Sequence, residues 1–218
     1  MHLFYTHIPK DFDATESLLK LPLALQKRLK QCPGKQARNR SFTAKILLAE
    51  VLAGKSGMSK VALLNRLVYD MLGKPELKGI PMFFSLSHAG NQVVCLTNEM
   101  DAVGVDIERN THQINSSTAF FLSKIEQQKL SAENLGNTYL LKKWVQKEAV
   151  SKAIGKGLSL GFHTIESSGT YCFWRNEKFM THEVNVHPDY YCYVAGKTGK
   201  TKPEVSEISF EKLLNNLI

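Results

Sequence analysis

Apolar positions in this chain recur either at every second residue or at every third to fourth, in short blocks that switch several times between the two periods. Residues 2–8 alternate and predict a first strand. Two helical stretches follow, at 15–30, interrupted by Pro22, and at 37–52. In the second, Phe42, Ile46, Ala49 and Leu52 share one face behind Ser41 near the first turn. Gly54 and Gly57 close that region, and 66–69 reads as a short strand ahead of the turn Gly73-Lys74-Pro75. From Pro81 the period shortens to two, so that 82–86, 91–97 and 102–108 predict a compact antiparallel meander. Helical spacing returns over 117–121, 123–131 and 138–154, and Gly155, Gly157 and Gly161 end the last of these. Strands at 171–174, 179–186 and 190–195 and a closing helix at 210–214 complete the pattern.

Helices grouped with antiparallel strands point to an α+β fold. The order of elements repeats, which predicts two similar α/β halves in one chain, each with a small antiparallel sheet and packed helices. The halves are 1–103 and 104–218, with the crossing point at 98–101 or 110–115.

Composition changes this picture little. Hydrophobic residues make up 43% and charged residues 22%, the balance of an ordinary globular protein. No run approaches the ~20 apolar residues of a membrane helix, and the first residues lack the basic start and apolar core of a signal peptide. A cytoplasmic protein without membrane association is the expectation. Cys32, Cys95, Cys172 and Cys192 form no C-x-x-C pair and have no finger-like spacing with histidine, so we read them as reduced and structural.

Charge changes it more. The net charge is +8, and between residues 17 and 49 stand eight basic residues (Lys20, Lys27, Arg28, Lys30, Lys35, Arg38, Arg40, Lys45) with no acidic one. Such a patch attracts anions at long range. Nucleic acid, a phosphorylated small molecule and an acidic protein all answer to it, as does a merely solvated helix face.

Three constellations carry candidate chemistry. In Gly104-Val105-Asp106-Ile107-Glu108-Arg109, strand alternation puts Asp106 and Glu108 on one face, roughly 6–7 Å apart, and Val105 and Ile107 on the other. Two like charges so close favour a cation between them, and Mg²⁺ suits carboxylates of this kind; an exposed alternating strand neutralised by Arg109 is the other reading of the pattern, and taken alone the segment is weak evidence for a metal. Along a helix through Trp144-Val145-Gln146-Lys147-Glu148-Ala149-Val150-Ser151-Lys152, the residues Trp144, Glu148 and Lys152 form one stripe. That stripe is either an ordinary surface Glu–Lys pair or a third metal carboxylate beside a phosphate-binding lysine. Phe84-Ser85-Leu86-Ser87-His88 ends a strand with a hydroxyl and an imidazole, but the G-x-S-x-G elbow of a serine hydrolase is absent.

Taken in order, these segments resemble the phosphopantetheinyl transferase superfamily, in particular its larger surfactin-synthetase-activating type. Gly104 to Glu108 fits the family strand G-[IV]-D-[IV]-E. Trp144 to Leu158 fits the helix and turn W-x-x-K-E-[AS]-x-x-K-x-x-G-x-G-L, and Gly73-Lys74-Pro75 and Phe84 to His88 fit two upstream motifs. The resemblance covers about residues 37–161. It implies transfer of the 4′-phosphopantetheine arm of coenzyme A to a serine of an acyl or peptidyl carrier protein, with release of 3′,5′-ADP. It further implies Mg²⁺ held by Asp106, Glu108 and Glu148. Lys152 and His88 would bind phosphate oxygens with Ser87 beside them, Lys74 would line the coenzyme site, and Arg40 and Ser41 would lie near the 3′-phosphate. Glu148 and Glu126 are both candidates for the base. The first half would face the coenzyme, and the second the metal and carrier. The expected partners are coenzyme A and an acidic carrier protein, with no nucleic acid, and the expected state is a monomer. A non-catalytic coenzyme- or carrier-binding homologue and a basic nucleic-acid-binding module are the alternatives.

Overall fold

A computed structural model describes residues 1–114, 120–197, 202–215 and 217. Strand β1 (His2–His7) is followed by a 3₁₀ turn, helix α1 (Leu23–Lys30) and the long helix α2 (Gly34–Ser56). Pro22 ends the 3₁₀ turn and begins α1, so the single helical stretch expected at 15–30 is two pieces. Helix α3 (Lys60–Asn65) is capped by the Ser59 hydroxyl, which accepts from Ala62 N–H at 3.2 Å. A two-stranded ribbon, β2 (Leu67–Tyr69) with β3 (Pro75–Leu77), frames the turn at Gly73-Lys74.

Strands β4 (Phe83–Ala89) and β5 (Gln92–Asn98) pair antiparallel as a hairpin. The expected third member of the meander, β6 (Val103–Arg109), pairs instead with β10 (Tyr190–Gly196) in another sheet. The meander is therefore corrected to a hairpin and a strand that crosses over. The reason is local: β6 meets β4 through side chains rather than through a ladder. The Ser85 hydroxyl accepts from Val105 N–H at 3.1 Å and the Ser87 hydroxyl donates to Asp106 Oδ1 at 2.8 Å.

After β6 come α4 (Lys124–Ala132), α5 (Asn137–Ile154) and two 3₁₀ turns. Strands β7 (Ile165–Ser168), β8 (Tyr171–Trp174), β9 (Glu177–Glu183) and β10 follow, then β11 (Glu204–Glu207) and α6 (Phe210–Asn215). The helix expected at 117–121 falls mainly on residues 115–119, which lie outside the described residues. One sheet runs β11-β1-β5-β4 and the other β6-β10-β9-β8-β7. The first is antiparallel except that β11 lies parallel to β1. The chain is thus α+β, with helices packed on two small sheets.

Two features aim the site. Helix α5 buries Val145, Ala149 and Ala153, the apolar stripe beside Trp144, Glu148 and Lys152. It lies so close to β6 that a Cβ at Gly104 would stand 1.9 Å from the Ala149 carbonyl oxygen. Only glycine fits there, and the close approach brings Glu148 and Lys152 to the level of Asp106 and Glu108. The helix ends in a left-handed cap at Gly155, φ 85°.

Candidate active site

Asp106 projects from the centre of β6 and is 2% exposed. A buried carboxylate needs partners. Its Oδ1 accepts from Lys152 Nζ at 2.6 Å and from Ser87 Oγ at 2.8 Å, and the same ammonium reaches Ser87 Oγ at 3.0 Å. Asp106 comes from β6 of one sheet, Ser87 from β4 of the other and Lys152 from α5, so the triangle spans the two sheets. Glu148, one turn before Lys152, stands 3.8 Å from Nζ through Oε1. Glu108, two residues along the strand, is half-buried, and its Oε2 lies 3.2 Å from His112 Nδ1.

Electrostatics show how crowded the carboxylates are. Burial first, then the charge of Asp106, raises the Glu148 pKa to about 7, against the lowering pull of Lys152. The same two causes raise Glu108. Burial works to lower Lys152, but Asp106, Glu148 and Glu108 outweigh it, and its pKa rises. This is a cluster of three carboxylates answered by one ammonium.

Among the described residues no three His, Cys, Asp or Glu side chains enclose a metal by themselves. The donor set nevertheless fits Mg²⁺. Asp106 Oδ2 is buried with no hydrogen-bond partner, and the mutual repulsion of Asp106, Glu108 and Glu148 is what a divalent cation relieves. Mg²⁺ takes one or two carboxylates and fills the rest of its octahedron with water and substrate phosphates, so an open group of this kind suits it better than a closed cage.

A recess of about 220 Å³ opens beside Lys152, lined by Leu72, Lys74, Phe84, Leu86, Gly155 and their neighbours. Lys74 Nζ lies where a Cβ on Gly155 would stand 3.3 Å away, so the Gly73-Lys74 turn and the end of α5 face each other across it. On the other side of β4, His88 is at the surface. Its pKa falls to about 4, through the protein mass around the ring and then through Arg40, Lys45 and Lys152, so the imidazole is neutral at neutral pH. Arg40 lines a second recess of about 280 Å³ with Lys10, Lys35 and Asn39. Ser41 is one residue further along α2 and accepts from Lys45 Nζ at 2.9 Å.

The structure therefore brings Ser87, Asp106, Glu148 and Lys152 together, with Glu108 alongside, and sets Lys74, His88 and Arg40 around them. Glu126 is not among them. It is 3% exposed at the start of α4, where it closes a capping box with Ser123. Its carboxylate is paired with Lys147 Nζ at 2.5 Å and also accepts from Ser167 Oγ. Lys147, fully buried, donates further to the carbonyls of Phe121 (3.2 Å), Phe162 (3.1 Å) and Ile165 (2.7 Å). This is a tie between α5 and the loops beneath it, on the residue next to Glu148. Sequence reasoning left Lys147 and His112 without roles. His112 reaches Glu108 only because the turn after β6 folds back, held where Asn137 Nδ2 donates to His112 O at 2.8 Å.

Residues 102–192, which contain most of this cluster, match the family model of the 4′-phosphopantetheinyl transferase superfamily. Over 197 residues the chain is 26% identical to 4′-phosphopantetheinyl transferase Sfp of Bacillus subtilis, covering 83% of this chain and 84% of that one. Over 91 residues it is 34% identical to another 4′-phosphopantetheinyl transferase of Bacillus subtilis, a stretch of 40% of each chain. It is 29% identical over 113 residues to AcpT of Salmonella typhi, a 4′-phosphopantetheinyl transferase, covering 49% of this chain and 59% of that one.

Proposed function

From the place that residues 102–192 hold in the 4′-phosphopantetheinyl transferase superfamily, we propose that this chain transfers the 4′-phosphopantetheine arm of coenzyme A to a serine of an acyl or peptidyl carrier protein. The observation that carries the reading is the Asp106–Lys152–Ser87 triangle, with an unpartnered buried oxygen on Asp106 and two strained carboxylates beside it.

In this reading Lys152 and Ser87 bind oxygens of the coenzyme's diphosphate, and Lys74 lines the recess that receives the rest of the nucleotide. Arg40, Ser41 and His88 receive the 3′-phosphate. Asp106, Glu108 and Glu148 would hold Mg²⁺, which supplies charge neutralisation on the diphosphate. The serine hydroxyl attacks the phosphorus that bears the pantetheine. A new P–O bond forms as the bond to the bridging oxygen breaks, and 3′,5′-ADP leaves with the electron pair. Glu148, solvent-reachable at the edge of the cluster, takes the serine proton. Glu126 is walled off from this role by its capping box and by Lys147. Both halves of one chain contribute to the triangle, which favours a monomer. No helix among the described residues is long and apolar enough to cross a membrane.

The test is to incubate the protein with coenzyme A, Mg²⁺ and a panel of apo carrier proteins, and to weigh the carriers. One or more carriers should gain the mass of the arm, and EDTA should stop the gain. If no carrier is modified by the folded protein, the transferase reading fails.

A further inference from the structure

Strand β6 lies against the first sheet without a backbone ladder, so the placement of one sheet on the other rests on apolar packing and on side-chain hydrogen bonds. Leu3, Val94 and Leu96 of the first sheet share a core with Val105, Ile107 and Val194 of the second. Such packing is non-directional, and the hydrogen bonds fix the register. Two of them are at the site, Ser85 with Val105 N–H and Ser87 with Asp106. Another lies outside it. The hydroxyl of Tyr190, on β10, accepts from Asn91 N–H at 3.4 Å, in the turn between β4 and β5, and from Arg109 Nε at 3.1 Å. Arg109 stands opposite Tyr190 in the β6–β10 ladder and directly follows Glu108 on β6. Gly90, φ 52°, completes the fit, since a Cβ there would overlap both Arg109 Nε and the Tyr190 hydroxyl.

Both ends of this clasp are anchored. Tyr190 is 8% exposed, its N–H donates to His187 O at 3.1 Å, and its ring stands edge-on to the His187 ring at 5.4 Å. Asn91 O accepts from Ile8 N–H at 2.8 Å, so the turn carries with it the segment after β1. Ile8, Lys10, Gly90 and Asn91 form walls of the recess that holds Arg40. The clasp therefore joins the turn behind that recess to the strand that bears the carboxylate cluster. Neither Tyr190 nor Arg109 has a part in the chemistry above.

We propose that Tyr190, through Arg109 and the Asn91 turn, is a positioning residue that sets the span between the carboxylate cluster and the Arg40 recess, so that one coenzyme A molecule engages both at once. The proposal rests on coenzyme A being the donor. A ligand that bridges two sites gains its full affinity only when their spacing is held beforehand. A ligand confined to one site gains nothing from the clasp.

The experiment needs no carrier protein and no turnover, so it stands apart from the transfer assay. Binding of coenzyme A, which reaches both sites, and of inorganic pyrophosphate, which fits beside the carboxylate cluster alone, is measured by calorimetry in Mg²⁺. The proteins are the wild type, Tyr190→Phe, which removes only the hydroxyl, Arg109→Lys, which keeps the charge but loses the Nε donor, and the control Tyr191→Phe on the other face of β10. Tyr190→Phe should weaken coenzyme A about 10-fold and leave pyrophosphate within about 2-fold. Arg109→Lys should fall between, and the control should match the wild type. A merely structural loss would lower the folded fraction and so weaken both ligands alike. A folded Tyr190→Phe that keeps the wild-type ratio of the two affinities overturns the proposal. Should Tyr190→Phe not fold, Arg109→Lys, a change at an exposed position, decides alone, and an unchanged ratio overturns the proposal. A wild type that binds no coenzyme A refutes the transferase reading and this one together. A changed ratio in a protein that modifies no carrier would refute the transferase reading and leave this one standing.

Discussion

Replacing Glu148 by glutamine is expected to make the metal-free protein more stable at alkaline pH while abolishing transfer. The carboxyl keeps its proton more tightly in the fold than in the unfolded chain, because its pKa rises from 4.5 to about 7. The sign follows directly. The native state is penalised for the ionised form, so its stability falls as pH rises from about 4.5 to about 7 and is flat above. At 1.36 kcal/mol per unit that displacement is worth about 3 kcal/mol at pH 8. Glutamine gives up the attraction to Lys152 at 3.8 Å, a contact already served by Asp106 at 2.6 Å, and retains an oxygen to accept from Trp144. A net gain of about 2 kcal/mol at pH 8 remains, or roughly 4–8 °C in Tm for a chain of this size. At pH 5 the wild-type carboxyl is protonated in the fold and the gain should shrink below about 1 kcal/mol. Thermal unfolding of both proteins in EDTA at pH 5 and pH 8 reads this out. An equal gap at the two pH values, or a variant less stable than wild type at pH 8, would refute the account of Glu148 as a carboxyl crowded by Asp106 and Glu108.

Two further changes probe the scaffold behind the site. Lys147→Met leaves Glu126 buried without its cation and three carbonyls without a donor, and should cost about 3–5 kcal/mol in urea unfolding; a loss under about 1 kcal/mol would mean the pair is not the tie it resembles. Gly104→Ala sets a methyl against the α5 backbone, so it should destabilise by roughly 3 kcal/mol and slow transfer beyond the loss of folded protein. Wild-type Tm with wild-type transfer would show that the helix has room to move.

The sequence made some of this legible and hid the rest for identifiable reasons. Period-two alternation located β4, β5 and β6, but alternation says nothing about which strand a given edge will meet. β6 joined β10, more than eighty residues away, because hydroxyls on β4 satisfied groups that a ladder would have used. The short elements α3, β3, β7 and β11 fell below the window in which a period can be counted. At the site, the i, i+4 spacing of Glu148 and Lys152 and the alternation of Asp106 with Glu108 carry directly into the observed geometry, since both rest on local repeats. Glu126 is a different case. Ser123-Lys124-Ile125-Glu126 is the signature of a capping box, and that reading describes its surroundings better than a catalytic one. Lys147 had no such signature: a lysine sunk among carbonyls cannot be told from a surface lysine until the loops around it are known.

The parallel pairing of β11 with β1 carries a consequence for how the molecule comes into being. Residues 2–7 leave the ribosome before nearly all the rest of this fold, yet the strand that covers their outer edge is made some two hundred residues later. Throughout synthesis the nascent first sheet exposes a bare row of amide and carbonyl groups, the kind of edge that recruits other chains. Any truncation before residue 204 makes that temporary exposure permanent. Insolubility of such a fragment would then reflect an unfinished sheet and not a damaged active site.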